Sequence, residues 1–297
     1  MTVFTPFRVA FDRILVPTDF SDVSETALSY AKSLARDSDA TIALAHAWEP
    51  VNPVMPPESV WLDQFARQAA QSQELEDDAA KLHAEGFEVK IVSPVGQPLT
   101  ELLKLAEHDD CDLIVMGTHG RSGIARMLFC SDTEAVFRHA HCPVLAVGPK
   151  VASANPEAWQ PKDILCACDM HRNSAETAAF ALQLAKKFDA TVSVVHVQDA
   201  QEDGRREGAE LSFDFALREL LGNSMERKMN PKYLWHVPHA GETVGKALAR
   251  VATERRADLL VVGAHGAKPL QTHFGRGVAM EAIGEATCPV LVLPNIF

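Results

Sequence analysis

Short apolar runs alternate with amphipathic stretches along almost the whole chain. The runs at 14–16, 41–47, 88–93, 113–116 and 144–147 are too short for core helices and read as buried strands. Between them, residues 24–35 carry Ala27, Leu28, Ala31, Leu34 and Ala35 at helical spacing. A long helix is predicted over 58–84, stopped by Gly86, with further helices over 98–107 and 131–140. The Pro-rich segment 51–57 is a loop. Strands alternating with helices imply a parallel sheet covered on both faces.

The same order then repeats. DRILVPTDFSDVSETALSYAKSLARDSDATIALAHAW aligns with KDILCACDMHRNSAETAAFALQLAKKFDATVSVVHVQ, placing Asp19 on Asp169, Ser24 on Ser174 and His46 on His196. Later, DLIVMGTHG aligns with DLLVVGAHG, placing Gly117 on Gly263, His119 on His265 and Cys142 on Cys288. The second copy has its middle helix over about 207–227 and its third strand near 232–237. A repeat this long is a duplicated domain, not a solenoid unit. The expected domains are 1–150 and 160–297, joined by the linker PKVASANPEAWQP over 149–161.

Composition narrows the function. A net charge of −12 argues against nucleic-acid binding and against an anionic membrane surface. No apolar stretch reaches the roughly 18 residues a spanning helix needs, and no signal peptide is visible at the N-terminus. Six scattered cysteines suit a reduced cytoplasm better than a disulfide framework.

Candidate chemistry gathers where the strands end. Parallel sheets bind ligands beyond the carboxyl ends of their strands, where strand order reverses. Asp19 and Asp169 follow the first strands, and Gly117 and Gly263 follow the fourth, so both sets belong to that edge. A strand, a glycine-containing loop and a helix N-terminus make a natural anion site, because backbone N–H groups point at the ligand. The bland alternative for each Asp is a cap on the following turn or helix. His119 and His265 either contact a phosphate or complete a turn.

At these residues the chain resembles the universal stress protein family in its tandem form. PTDFS after the opening strand, the AT-strand ending in His, the DLIVMGTHG turn and the closing CPVLAV carry the resemblance. It implies two tandem Rossmann-like α/β domains, each a five-stranded parallel sheet in the order 3-2-1-4-5 with helices on both faces, paired through their last strands. Many members bind ATP or AMP; others lack nucleotide. The binding members share G-x2-G-x9-G-[ST] after strand four. Here the first copy has Gly117 and Gly120, then Cys130 in the third glycine position, followed by Ser131. The second has Gly263 and Gly266, then Arg276 and Gly277. A side chain in place of the third glycine obstructs close backbone approach to a phosphate. Asp132 further repels a triphosphate, although it suits the helix dipole. The resemblance places Pro17 and Asp19 near base and ribose, with Ala47 and Met116 lining the pocket. In the second copy Asp169 persists, but Ala167 replaces Pro17.

The expectation is a ligand-binding module that takes ATP or AMP, with magnesium, mainly in the first domain. Alternatives are an interaction scaffold without nucleotide, or a metal or small-lipophile binder through the second domain. No Ser-His-Asp or paired-carboxylate arrangement supports catalysis, so any ATP hydrolysis is slow. Cys166, Cys168 and His171 form an unusual run; Cys168 and His171, with His265 or another distant ligand, offer a zinc set, or the two cysteines are plain core, and no metal is expected in its own right. GETVGKA at 241–247 imitates a phosphate loop but is one residue short and lacks the following hydroxyl. Arg121, Arg126 and Lys268 are weak candidates for steering a phosphate. The middle helices (Val60, Trp61, Phe65; Leu211, Phe213, Phe215) read as packed faces, with a cover over a ligand cavity as the alternative. The two halves pair within the chain, leaving outer faces for a homodimer.

Overall fold

A computed structural model of the chain describes residues 9, 11–49, 58–118, 136–151, 158–169, 174–197, 208, 211, 215, 218, 232–236, 238–264 and 277–294. In the first half, β1 (Arg13–Pro17), α1 (Asp22–Ser38), β2 (Thr41–Ala45), α2 (Glu58–Ala84), β3 (Val89–Val92), α3 (Pro98–His108), β4 (Leu113–Gly117) and β5 (Val144–Val147) follow one another. The second half gives β6 (Asp163–Ala167), α4 (Ser174–Phe188), β7 (Thr191–Val197), β8 (Lys232–His236), α5 (Val244–Arg255), β9 (Leu259–Gly263), α6 (Val278–Glu285) and β10 (Val290–Leu293).

The strands form one ten-stranded sheet in the order β3-β2-β1-β4-β5-β10-β9-β6-β7-β8. Each half has the expected 3-2-1-4-5 order, all parallel. The halves meet where β5 and β10 pair antiparallel, with Leu145 opposite Leu291. The expected pairing through the last strands is therefore present, and it fuses two five-stranded sheets into one. An unpaired edge strand leaves a row of unmet N–H and C=O groups, and this junction covers two such edges at once.

Both faces are sealed by cores that run across the junction. Alternate residues of the strands, among them Ile14, Ile42, Leu113, Leu145, Ile164, Val192, Leu259 and Leu291, face α1, α4 and the C-terminal part of α2. The other set, among them Leu15, Ala43, Ile114, Val144, Leu165, Leu260 and Val290, faces α3, α5, α6 and the helical residues 136–139. Burial on both faces explains why the strands read as continuous apolar runs.

The segment 149–161 is more than a slack linker where it is described. The Trp159 amide donates to Ser33 Oγ at 3.1 Å, and its ring meets Tyr30 edge-on with centroids 5.0 Å apart. Burial there pushes the Tyr30 hydroxyl up to about 12. The gap that Trp159 and Phe11 leave between Leu34, Leu184 and the central strands is only about 10 Å³. Lys187 Nζ reaches Asp37 Oδ2 at 3.4 Å, and Lys150 pairs with Glu285, so ion pairs also cross between the halves.

The opposite, amino edge of the sheet is tied in the same way in both halves. Asp112 Oδ2 accepts from the N–H groups of Asp12 (2.6 Å) and Arg13 (3.2 Å). Asp258 Oδ2 accepts from those of Lys162 (2.9 Å) and Asp163 (3.0 Å). Each carboxylate thus closes the start of its first strand.

The middle helices depart from expectation. In α2, Leu75, Ala79 and Leu82 are buried, but Leu62 and Phe65 are more than half exposed, as are Leu211 and Phe215 in the second half. Packed faces are therefore the wrong reading for those residues. The side chains of Val60 and Trp61, and Phe213, lie outside the described residues.

Gly148 follows β5, and a Cβ built on it would lie 2.1 Å from the Ile283 carbonyl oxygen. Gly148→Ala therefore forces the junction apart and is expected to lower the unfolding free energy by about 1–3 kcal/mol. Gly284, whose Cβ would meet nothing within 4 Å, sits inside α6. Gly284→Ala should stabilise by about 0.5–1 kcal/mol through helix propensity alone. Urea unfolding of the two variants checks both signs.

Candidate functional site

The first strand's end is held by a dense hydrogen-bond network. Thr18 N donates to Ala45 O at 2.8 Å, extending the β1–β2 ladder by one residue. Asp19 follows, and its Oδ1 accepts from Ser21 Oγ (2.6 Å), Ser21 N (3.2 Å) and Ser24 Oγ (2.5 Å). Ser21 is itself the N-cap of α1, taking the Ser24 amide on its Oγ at 3.3 Å. Phe20, between them, adopts φ 59°, a left-handed conformation costly for a bulky residue. The Asp19 network and the packing of Phe20 on the His46 ring, with centroids 4.8 Å apart, hold it there.

The second strand's end is pinned to the first. His46 Nδ1 lies 2.8 Å from Thr18 O. A carbonyl only accepts, so Nδ1 carries the proton. The second half repeats both devices. Ser174 Oγ donates to Asp169 Oδ1, the Asp169 amide donates to Ser174 Oγ at 3.3 Å, and His196 Nδ1 donates to Cys168 O at 2.9 Å.

The fourth strand's end is crowded. A Cβ on Gly117 would lie 2.9 Å from the backbone of Val23 in the first turn of α1. Whatever Gly117 does for a ligand, it is also needed for this close approach. Thr118 then donates through its N–H (3.0 Å) and its Oγ1 (3.1 Å) to Val147 O, tying β4 to β5. Gly263 ends β9 in the same place, and the next amide, Ala264 N, donates to Leu293 O at 2.8 Å.

Strand alternation decides which side chains share a face. Leu15, Ala43, Ala45 and Met116 belong to the face covered by α3. The backbone beyond β2 stays strand-like, with His46 N on Val92 O and Trp48 N on Pro94 O. The period of two carries the same face on to Pro17 and Ala47, so the structure puts Pro17, Ala47 and Met116 on one side of the carboxyl edge. His46 lies on the other side, with Phe20. All three residues of the set are buried.

A model of the universal stress protein family matches residues 10–148 and again 161–294. The chain belongs to that family, in its tandem form. A universal stress protein of Methanocaldococcus jannaschii is 34% identical over 147 residues, 46% of this chain and 82% of the relative. One from Thermus aquaticus is 31% identical over 137 residues, 46% of this chain and 98% of the relative. Over nearly the full length, a universal stress protein structure from Archaeoglobus fulgidus superposes with a TM-score of 0.71 at 20% identity, covering 96% of this chain and 97% of its own. That last likeness bears on fold, and it includes both halves.

Within this universal stress protein, His119, Gly120, Cys130, Ser131, His265, Gly266 and Arg276 lie outside the described residues. Gly277 is the N-cap of α6, with no side chain to offer its first amides. GETVGKA is a turn at Gly241 (φ 77°) leading into α5. Among the described residues no cluster of His, Cys, Asp or Glu is arranged for a metal ion. Ser24 and His46 belong to this network too, and their recurrence as Ser174 and His196 is the signal of it in the sequence, whereas Ser21 aligns with His171 and carries none.

A groove of about 300 Å³ lies apart from this edge, lined by Glu242, Lys246, Arg250, Thr253 and Glu285. Its charges are largely matched: Arg250 Nε and Nη2 fork onto the two oxygens of Glu242 at 3.0 and 3.1 Å. The guanidinium holds the Glu242 carboxyl down to about 2.

Two outcomes follow. Asp19→Asn keeps an Oδ1 acceptor for the serines and should leave the melting temperature close to the parent's, whereas Asp19→Ala removes the acceptor that holds Ser21 and Ser24 and should cost about 1–2 kcal/mol by urea unfolding. Glu242 titrates lower folded than unfolded, so its contribution is present above about pH 4.3 and is lost as pH falls towards about 2. Arg250→Gln should remove that part of the acid sensitivity, read as a smaller difference in stability between pH 5 and about 3.

Proposed function

We propose that this universal stress protein is a ligand-responsive binding protein whose first half takes an adenine nucleotide, ATP or AMP with magnesium, at the carboxyl ends of β1, β2 and β4. The observation that carries this reading is the placement of Pro17, Ala47 and Met116 on one face of that edge, beside Asp19 and Gly117. Pro17, Ala47 and Met116 are apolar and suit the face of a base, and Asp19 carries the charge that suits a ribose hydroxyl or an exocyclic amine. The second half, with Ala167 and Cys168 where the first has Pro17 and Thr18, is the weaker site. We take residues 1–150 and 160–297 as the two domains and assign no catalytic residue.

A second reading has its own support. Asp19 Oδ1 is already engaged by Ser21 and Ser24, as a cap requires. On that reading the edge closes on itself, and the protein works as a docking scaffold. No helix among the described residues is long and apolar enough to cross a membrane, so the membrane enters neither reading.

Calorimetric titration of the full chain with ATP and magnesium separates them. The nucleotide reading expects saturable binding at one site per chain, weakened about tenfold or more by Asp19→Asn, a loss of about 1.4 kcal/mol or more. No heat and no thermal shift at millimolar ATP leaves the scaffold.

A further inference from the structure

The second half carries a pair of thiols that the first half lacks. Cys166 lies in β6 and Cys168 one residue past its end, where the first half has Val16 and Thr18. Their sulfurs are 3.8 Å apart. Two positions apart on extended chain, they share a face, and both are buried. Across two residues of strand the Cα atoms are about 6.6 Å apart. That is inside the upper limit of about 6.8 Å that a disulfide tolerates. Bridging needs the sulfurs at about 2.05 Å and the Cβ atoms at about 3.8 Å, closer than parallel side chains on a strand face stand, so the backbone at the end of β6 has to bend as the bond forms.

We propose that Cys166 and Cys168 form a reversible disulfide within the end of β6, through which a two-electron oxidant such as hydrogen peroxide reshapes the carboxyl edge of the second half. One thiolate attacks a peroxide oxygen. The O–O bond breaks, giving a sulfenic acid and hydroxide, which takes up the thiol's proton as water. The second sulfur attacks the sulfenic sulfur; the S–S bond forms, the S–O bond breaks, and water leaves. The pair loses two electrons, the peroxide gains two, and a dithiol reductant reverses the change. So short a ring is strained, which places it among labile rather than structural disulfides.

The position gives the bond leverage. The Cys168 amide donates to Val195 O at 2.9 Å, and its carbonyl holds His196 Nδ1–H at 2.9 Å. Its thiol donates to Ser174 O at 3.7 Å, and Ser174 is the hydroxyl partner of Asp169. Oxidation removes the thiol donor and draws the strand end inward, moving groups that hold both Asp169 and His196. Burial keeps the Cys168 thiol well above its usual range, so thiolate is scarce. The reaction is accordingly slow, faster at higher pH, and suited to sustained rather than transient oxidant. None of this depends on nucleotide binding.

The test is a mass measurement on the full, folded chain. After exposure to hydrogen peroxide, acid quench and alkylation, trypsin cuts after Lys162 and Arg172, leaving both cysteines in the peptide 163–172. Circular dichroism of the oxidised sample confirms that the chain stayed folded. The expected product is this peptide unalkylated and lighter by two hydrogens, restored to two alkylated thiols by dithiothreitol. It should form faster at pH 8.5 than at pH 7, and not in Cys166→Ser or Cys168→Ser. A doubly alkylated peptide, under conditions that fully oxidise glutathione in the same tube, overturns the proposal. So does a sulfinic acid, or a cross-link from either residue to any other cysteine.

Discussion

The antiparallel pairing of β5 with β10 is the contact on which the rest of the molecule stands. Each half taken alone is a parallel sheet with an apolar last strand, and such a strand cannot face water without leaving a backbone ladder unmet. Pairing the two last strands satisfies those groups. It also aligns the two faces of the halves, so that each core continues across the junction. Leu145 and Leu291 lie opposite each other at the centre, both buried. Trp159, Phe11 and the helices α1 and α4 then fill one side, and α6 with Gly148 the other. Gly148 has no substitute there, because the Ile283 carbonyl occupies the space of any side chain.

With the sheet fixed, its two edges take different parts. At the amino edge, Asp112 and Asp258 do the same work twice, capping the first-strand amides. At the carboxyl edge, duplication preserves the framework and relaxes the lining. The Asp–Ser hydrogen bond and the His-to-carbonyl bond occur in both halves. Pro17 and Thr18, by contrast, stand opposite Ala167 and Cys168 in the alignment of the halves. The two halves therefore share a framework and differ in what lines it, with a proline and a threonine at the end of β1 and a thiol pair at the end of β6.

Several residues serve packing and chemistry together. Gly117 sits where a phosphate loop begins, yet its lack of a side chain is already required by Val23. Asp19 is proposed here as a ligand contact, yet one of its oxygens holds Ser21 and Ser24 at the start of α1. Such double duty explains why motif reading alone separates structural from ligand-binding roles so poorly. The same residue types are selected by both.

Much of this was legible beforehand. Short continuous apolar runs marked the strands and the 3.6-residue period the helices, because burial on both faces of a strand and one face of a helix imposes them directly on the sequence. The repeat gave two like domains, and their resemblance to universal stress proteins gave strand order. What periodicity cannot carry is the third dimension. That 149–161 is anchored at Trp159 depends on Tyr30 and Ser33, more than a hundred positions earlier. That Phe65, Leu211 and Phe215 are exposed depends on what packs against them, which their apolar character does not say. That Asp19 meets both Ser21 and Ser24 and that the Cys166 and Cys168 sulfurs approach to 3.8 Å are likewise matters of distance. The sequence by itself determined the elements, their duplication and the edge at which chemistry gathers, since those follow from local burial pattern. Only the tertiary structure decided which side chains meet there, because contacts between segments far apart in the chain leave no periodic trace in it.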